Sequence, residues 1–572
     1  MMTPDEIRAQ ILETVSRNGG HLASSLGVVE LSVALAETFD PCKDRIVWDV
    51  GHQAYAWKIL TGRAGRFGTL RRMDGISGFP NPSESPADAA IAGHAGVALS
   101  VAEGFAAARD LKGTDEQVVA VIGDSSFVNG TCFEALNNCT SACRKVIVIL
   151  NDNEMSISKP TGAFSRYLGR LISGRRYNRF KGAVKKAARA AHLYGPVHRF
   201  KAFVKRMLLG RGYFEEMGLR YMGPVDGHDL VALKAALAVA RDEDRSVLLH
   251  VVTRKGKGFA PAEENPTAWH GVGPFDLAAP DRPSGNPDSS QSWSDVFGAA
   301  LCDLAAEDAR IVALTAGMKD GTGLADFAAR YPARFQDAGI AEGHVVSYAA
   351  GLAAGGARPV VAVYSTFLQR AVDQVMHDVC IAKLPVVFCV DRAGVVGADG
   401  VTHQGLYDLA MLRCLPNLTI CQPKDADDLR ALLAEALHRD GPTVIRYPRG
   451  KAPQAVASGA ADVPETARLA IWATGDWYPK AQAVAARLPG AVAVHARYLK
   501  PFDAGLLAAQ RARGLKVVSL ENGAVAGGFG EALGADVKFG WPDAFIPHGT
   551  PAELARRYGL DVDSLVAALR QP

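Results

Sequence analysis

The 572-residue chain has no long apolar run. No stretch approaches the roughly 20 residues that a membrane-spanning helix needs, and the opening MMTPDEIRAQILETVSRNGG carries acids early, with no apolar core of signal-peptide length. The sequence therefore reads as that of a soluble, cytoplasmic protein. It also lacks an excess of charge: 63 Lys and Arg face 60 Asp and Glu, a net +3, so electrostatics do not point to nucleic acid as a partner. Cysteine is sparse. Nine are scattered singly, an odd number without metal-like pairs, and the nearest two, Cys139 and Cys143, fall on a predicted helix. A disulfide framework is excluded and reduced thiols are expected. No short repeat is present. GAVAGGFGEAL at 523–533 follows a strand but does not match G-x-G-x-x-G, so it reads as a tight turn.

What is present is enough apolar material, 48% of residues, for large cores in about three or four domains. The polar, Pro- and Gly-rich PDRPSGNPDSSQS at 280–292 separates a first block, 1–285, from a second, 293–450. The second alternates short apolar strands with helices: RIVALTAG, RPVVAVYST, LPVVFCVDRAG, LTICQP and PTVIRYPRG. After KAPQAVASGAADVPE a third block, 460–572, repeats the pattern with LAIWAT, AVAVHA and LKVVSLE. The fold class is α/β, with three parallel-sheet domains.

The chemistry concentrates at 123–158, GDSSFVNGTCFEALNNCTSACRKVIVILNDNEMSIS. Asp124 and Asn153 each follow a β-branched apolar run, VVAVI and KVIVIL, while Phe133, Leu136, Cys139 and Cys143 recur at near-helical spacing. The unit reads strand, helix, strand, a right-handed parallel crossover that sets both candidates beyond the carboxyl ends of strands. Mg²⁺ shares its oxygens between one or two protein carboxylates or amides and a substrate phosphate. Asp124, Asn153 and a backbone carbonyl near Met155 make a suitable set. A ligand-free crossover whose turns carry Asp and Asn is the bland alternative. A hydrolase nucleophile elbow in GDSSF is weak, because its second glycine would fall where Phe127 stands.

GD followed about thirty residues on by NDN resembles the thiamine diphosphate motif. Thiamine chemistry needs a carboxyl group to share a proton with the cofactor's aminopyrimidine. Glu342, in GIAEGHVVSYAAGLAAGG, opens a small-residue helix where burial would raise its pKa. An ordinary acid at a helix N-terminus is the competing explanation. The order of further strings decides between them. HLASSLGVVEL, VWDVGHQAYAWKILTGR, GISGFPNPSES, GPVDGHD, KGKGFAPAEENPTAWH, IAEGHVVSYAAGLA, VYSTFLQRAVDQVMHDV, DRAGVVGADGVTHQG, RYPRG and FIPHGTPAELARRYGLD together resemble the 1-deoxy-D-xylulose-5-phosphate synthases, transketolase-like enzymes, over nearly the whole chain.

That resemblance implies a transketolase-like architecture and a reaction: pyruvate loses carbon dioxide and its remaining two-carbon unit joins glyceraldehyde 3-phosphate to give 1-deoxy-D-xylulose 5-phosphate. It implies thiamine diphosphate and Mg²⁺ as cofactors. A homodimer is implied too, with the cofactor between the first two domains of one chain. Asp124, Asn153 and Met155 would hold the metal. His52, Gly93, His94, Ala95, Ser125, Ser126 and Phe259 would line the diphosphate and thiazolium. Glu342 would activate the aminopyrimidine and Phe367 stack on it. Tyr364, Arg370, Arg392, Asp399, His403 and Arg449 would meet the substrate, the arginines suiting phosphate. His21, His52, His94 and His403 could move protons near neutral pH, with no one of them assigned as sole base. The departures are Ser125 for Gly, Gly343 for Gln, Ala95 and Gly96 for a serine pair, and Phe259 for Tyr. The chain is also shorter than most relatives, chiefly in its third block.

A further segment, about 160–212, carries fourteen Lys or Arg between Arg166 and Arg211 and no acid there. Phe200, Phe203, Val204, Met207 and Leu208 share one helical face. The resemblance implies a helical insertion lying over the active site; an acidic membrane or polyanion is the alternative target. Two other functions stay open: a paralogous thiamine enzyme, of transketolase or 2-oxoacid dehydrogenase type, and a cofactor-binding relative that has lost turnover.

Overall fold

The structure, a computed structural model, describes residues 2–153, 213–280, 291–457 and 464–571. Met155 and the basic segment 160–212 lie outside the described residues, as do 281–290 of the linker.

The apolar runs of the first block become parallel strands: β1 (Arg45–Trp48), β2 (Val118–Gly123), β3 (Ile147–Asp152), β4 (Arg220–Asp226) and β5 (Val247–Val252), in the order β1-β2-β3-β5-β4. Both faces of such a sheet are covered, so its central strands read as continuous apolar runs. On β2, Val118, Ala120 and Ile122 pack against the helices Ala98–Lys112 and Gly130–Ala142. Val119 and Val121 face Leu31, Leu35, Leu233 and Leu237 on the other side. The expected crossover is present. Its helix Gly130–Ala142 buries Leu136 and Cys139 and ends at Cys143. β4 is half-exposed along its length and has no apolar run to announce it.

The second sheet holds β6 (Ile311–Thr315), β7 (Phe335–Asp337), β8 (Arg358–Tyr364), β9 (Val387–Asp391), β10 (Thr419–Cys421) and β11 (Thr443–Arg446). The third holds β12 (Leu469–Thr474), β13 (Ala491–Ala496), β15 (Lys516–Ala524) and β16 (Val537–Trp541), parallel throughout in the order β13-β12-β15-β16. Between them β14 (Tyr498–Lys500) leaves its own block and pairs antiparallel with β10, giving the second sheet the order β14-β10-β11-β9-β8-β6-β7. Three residues carry no periodicity; pairing with β10, the burial of Leu499 and the bonds of Tyr498 to Glu435 and of Lys500 to the Leu415 carbonyl fix them. The turn expected in GAVAGGFGEAL is followed at once by a short helix, Phe529–Leu533.

The chain divides into two compact units. One is Met1–Gly68 with Phe79–Ser284; the other is Thr69–Gly78 with Gly285–Pro572, and it contains the second and third sheets. Ten residues from the first sequence block therefore belong with the second unit.

Within that second unit, Arg446 is 1% exposed at the end of β11. It gives two 3.0 Å bonds to Asp408, one of 2.7 Å to Gln422 Oε1 and one of 3.2 Å to the Asn522 carbonyl. One guanidinium thus ties the second sheet to β15 of the third. Arg446→Met leaves Asp408 buried without its cation and should cost about 3–5 kcal/mol, seen as a lower urea midpoint. Adding Asp408→Leu should recover most of that loss, because no uncompensated charge then remains.

Candidate active site

In the first unit the chain leaves β1 through Asp49, Val50 and Gly51. The Asp49 carboxylate is 1% exposed and accepts N–H bonds from Gly96 (2.9 Å), Val97 (3.1 Å) and Ala98 (3.0 Å), with a further bond from the Ser126 hydroxyl. Those amides open the helix Ala98–Lys112, whose positive end suits a carboxylate. Burial raises the Asp49 pKa and the amide bonds oppose it. One side chain thereby fixes the Gly93–Gly96 loop against β1 and Ser126. Asp49 lay inside the quoted VWDVGHQAY, but its role shows only through contacts 47 to 49 residues away.

Gly96, one of the departures, has φ +85°, and a Cβ there would stand 2.4 Å from Asn129 Oδ1. Asn129 is itself buried and caps the helix Gly130–Ala142 through the Thr131 amide. Glycine at 96 and asparagine at 129 fit each other.

Asp124 follows β2 and Asn153 follows β3; with Gly123 opposite Asn151, both stand on neighbouring strand ends at the carboxyl edge of one sheet. Asp124 is buried, and burial, then the charge of Asp152, push its pKa up to about 7, while Lys255 and bonds from Ser125 oppose the rise. Ser125 donates its amide at 2.8 Å and its hydroxyl at 3.3 Å to the same Asp124 oxygen. A buried carboxylate raised this far is short of positive charge, which a divalent cation would supply. Among the described residues no cluster of three His, Cys, Asp or Glu is placed to hold a metal. One carboxylate and one amide fit a hard cation that takes its remaining oxygens from backbone and phosphate.

His21 and His52 come together, with ring centroids 5.6 Å apart, and His270 joins them at 5.6 and 5.1 Å. Phe79 packs on His21 at 5.5 Å. Burial, then the charges of Lys255 and His21, hold the His270 pKa well below the ordinary range, so its ring is neutral at physiological pH. His270 ends the quoted KGKGFAPAEENPTAWH yet was not singled out. Phe259 sits edge-on to Trp269, centroids 5.1 Å apart.

In the second unit Glu342 is the first residue of the helix Glu342–Ala354 and is 4% exposed. It faces an apolar wall of Ala316, Val345, Val346, Val361, Val363, Leu368 and Ala371. Burial raises its pKa; Arg370, whose Nη1 lies 3.1 Å from Glu342 Oε2, opposes the rise. Arg370 was expected at the substrate, and the structure places it on Glu342. Tyr364 stacks on Phe367 with centroids 5.7 Å apart, and Phe367 meets His403 edge-on at 5.8 Å. The Arg392 guanidinium lies 3.9 Å from the Tyr364 ring centroid. Gly321 is required beneath this tyrosine, since a Cβ there would lie 2.2 Å from the phenol oxygen.

Asp399 gathers two arginines: Arg71 at 2.6 Å, partly buried, and Arg449 at 3.6 Å, more exposed. Arg71 was missed. It comes from the ten residues that belong with the second unit, 328 positions from its partner, and nothing in LRRMDG announces it.

The profile of the 1-deoxy-D-xylulose-5-phosphate synthase family matches residues 2–253, and that of the transketolase pyrimidine-binding domain matches 289–454. A curated 1-deoxy-D-xylulose-5-phosphate synthase from Desulforudis audaxviator is 46% identical over 99% of this chain and 94% of its own length. One from Oleidesulfovibrio alaskensis is 47% identical over 97% of this chain and 92% of its own. Among solved structures, a transketolase from Campylobacter jejuni covers the chain at 17% identity with a TM-score of 0.45.

Restoring serine at 96 should strain the loop that Asp49 holds. Gly96→Ser is expected to lower stability by about 1–3 kcal/mol through overpacking and a left-handed backbone that serine disfavours. Adding Asn129→Ala should return part of it, less the roughly 0.5–2 kcal/mol of the lost cap. Urea midpoints of the two single variants and the double variant measure the coupling.

Proposed function

The chain belongs to the 1-deoxy-D-xylulose-5-phosphate synthase family and is a thiamine-diphosphate-dependent transferase that joins pyruvate to glyceraldehyde 3-phosphate, and we propose how its residues divide that work. Similarity at 46% identity along 99% of the chain carries the reading and disfavours a paralogue with another donor or acceptor. The first sheet domain holds the diphosphate with Mg²⁺, the second addresses the aminopyrimidine, and the third completes the chain over 460–572. We further propose that the protein works as a homodimer in the cytoplasm, where its nine free cysteines would stay reduced. No helix among the described residues is long and apolar enough to cross a membrane.

Asp124 and Asn153 would hold Mg²⁺, with the Met155 carbonyl as the third protein donor. The Gly93–Ala95 loop, Ser125 and Ser126 would offer amides and hydroxyls to the diphosphate. When bound, thiamine diphosphate supplies the reacting carbon and the electron sink for decarboxylation. Glu342, whose pKa burial raises against the opposing charge of Arg370, would share a proton with the aminopyrimidine nitrogen. Phe367 would give that ring an aromatic face. His270, held neutral, would serve His21 and His52 as a neighbouring ring and not as a base, and His21 and His52 would move protons. His403 would address the substrate oxygens.

Arg392, Arg449 and Arg71 carry three positive charges near two carboxylates, Asp399 and the buried Asp391, an excess that a phosphate would relieve. This cluster supports a phosphorylated acceptor. The test of the whole reading is a product assay with thiamine diphosphate, Mg²⁺ and pyruvate, with and without glyceraldehyde 3-phosphate. Carbon dioxide release that depends on the acceptor, together with the five-carbon sugar phosphate by mass, is the expected result; release with no sugar phosphate would favour the paralogue.

Glu342→Gln should lower turnover by at least about 10²-fold, the scale of a lost general acid, while Mg²⁺ and thiamine diphosphate still bind as judged by calorimetry. Arg449→Ala should raise the KM for glyceraldehyde 3-phosphate by about tenfold or more, one charged hydrogen bond's worth, and leave that for pyruvate nearly unchanged. Equal loss for both substrates would remove Arg449 from the phosphate site.

A further inference from the structure

The third sheet carries none of the groups assigned above, yet the Ile546–Pro551 segment that follows it touches both segments that carry the Arg71–Asp399 pair. The loop 394–405, which bears Asp399 and His403, lies against that segment closely enough to demand glycine at two points. A Cβ on Gly397 (φ +92°) would stand 2.9 Å from the Gly549 carbonyl oxygen, and one on Gly400 (φ +70°) 3.1 Å from His548 Cβ. Gln404, 2% exposed, closes the loop on itself and on the segment: its Oε1 accepts the Val396 amide at 2.7 Å, and its Nε2 donates to the Pro547 carbonyl at 3.1 Å. At the loop's start, Asn522 on β15 accepts the Val395 amide at 3.2 Å through an Oδ1 that also holds the Trp541 indole at 3.0 Å. Gly394 is required there, since its Cβ would meet the Asn522 amide nitrogen at 2.2 Å.

The same segment reaches the stretch that bears Arg71. His548 Nε2 lies 3.2 Å from the Gly75 carbonyl, which makes this nitrogen the donor. The Arg71 amide donates to Ile76 O at 2.6 Å, so the turn that His548 grips is the turn that fixes Arg71. Arg557 adds an ion pair to Asp74 at 2.7 Å. Arg71 itself has φ +64°, a conformation that a non-glycine residue holds only when its surroundings impose it.

We propose that His548, Gln404 and Asn522 are positioning residues for the phosphorylated acceptor: they seat the loop 394–405 and the turn 69–78 on the C-terminal segment and so set the Arg71–Asp399–Arg449 cluster. The proposal rests on the synthase reading for the identity of the acceptor, but not for the anchoring itself. None of the three side chains touches the reacting atoms. Loss of an anchor therefore acts on acceptor binding and spares the pyruvate half of the reaction.

The experiment compares the full-length protein with His548→Ala, with His548→Gln, which keeps an N–H donor, and with Gln404→Leu. Hydrogen exchange is read first, without substrate. Amides in 69–78 should exchange faster in His548→Ala and those in 394–405 faster in Gln404→Leu, with His548→Gln close to the parent. Kinetics follow: the KM for glyceraldehyde 3-phosphate should rise about tenfold in the first and third variants while pyruvate KM and kcat stay within about twofold, the signature of lost binding confined to one substrate. Unchanged exchange in both segments overturns the proposal, and so does an equal rise in the two KM values. If the parent makes no sugar phosphate, the synthase reading fails instead, and the exchange data still decide whether the anchor exists.

Discussion

Asp49, Asp124, Asn153, Arg392 and Arg446 stand at or just beyond the end of a parallel strand, and that placement sets the cost the fold must meet. Parallel strands are joined by crossovers that cover both faces of the sheet, so their carboxyl ends share one edge and the side chains there are largely withdrawn from water. A charge left in such a place without a partner costs several kcal/mol. Each one is met from a distant element: Asp49 by three helix amides, Glu342 by Arg370, Arg446 by Asp408, and Asp399 by Arg71. Asp124 is met less fully: burial and the charge of Asp152 raise its pKa to about 7 against Lys255 and the bonds from Ser125.

This explains which parts of the protein could be read in the sequence. Long buried strands announce themselves through uninterrupted β-branched runs, so β2, β3, β8 and β9 were legible, and so was the crossover that sets Asp124 beside Asn153. β4, β14 and β16 were not: one is half-exposed, one is three residues long, and the third, VKFGW, mixes polar and apolar residues without a clear period. The candidate residues were named from recognisable strings, and most of those described fall into two local groups, one in each unit. Asp49, His270 and Arg71 escaped because their identity as partners depends on separations of about 47 to 328 residues that no local spacing encodes. The motif order supplied the cofactor and substrates, while the structure supplied the partners.

Two of the departures from the family pattern, Ser125 and Gly96, are absorbed locally. Ser125 spends its hydroxyl on Asp124 at 3.3 Å, a long bond that costs little to release, and its amide is still directed at the same carboxylate. Gly96 leaves space that Asn129 fills. At Gly343 the arrangement differs: the Gln374 amide oxygen lies 3.1 Å from where a Cβ would stand, and it is buried without a hydrogen-bond partner. Two of these changes, at Gly96 and Gly343, remove a side chain, which would be expected to leave voids or unpaired groups. Asn129 meets that expectation at Gly96, whereas beside Gly343 the Gln374 amide oxygen stays unpaired, so the case against a relative that has lost turnover rests on the similarity along the whole chain and not on these positions.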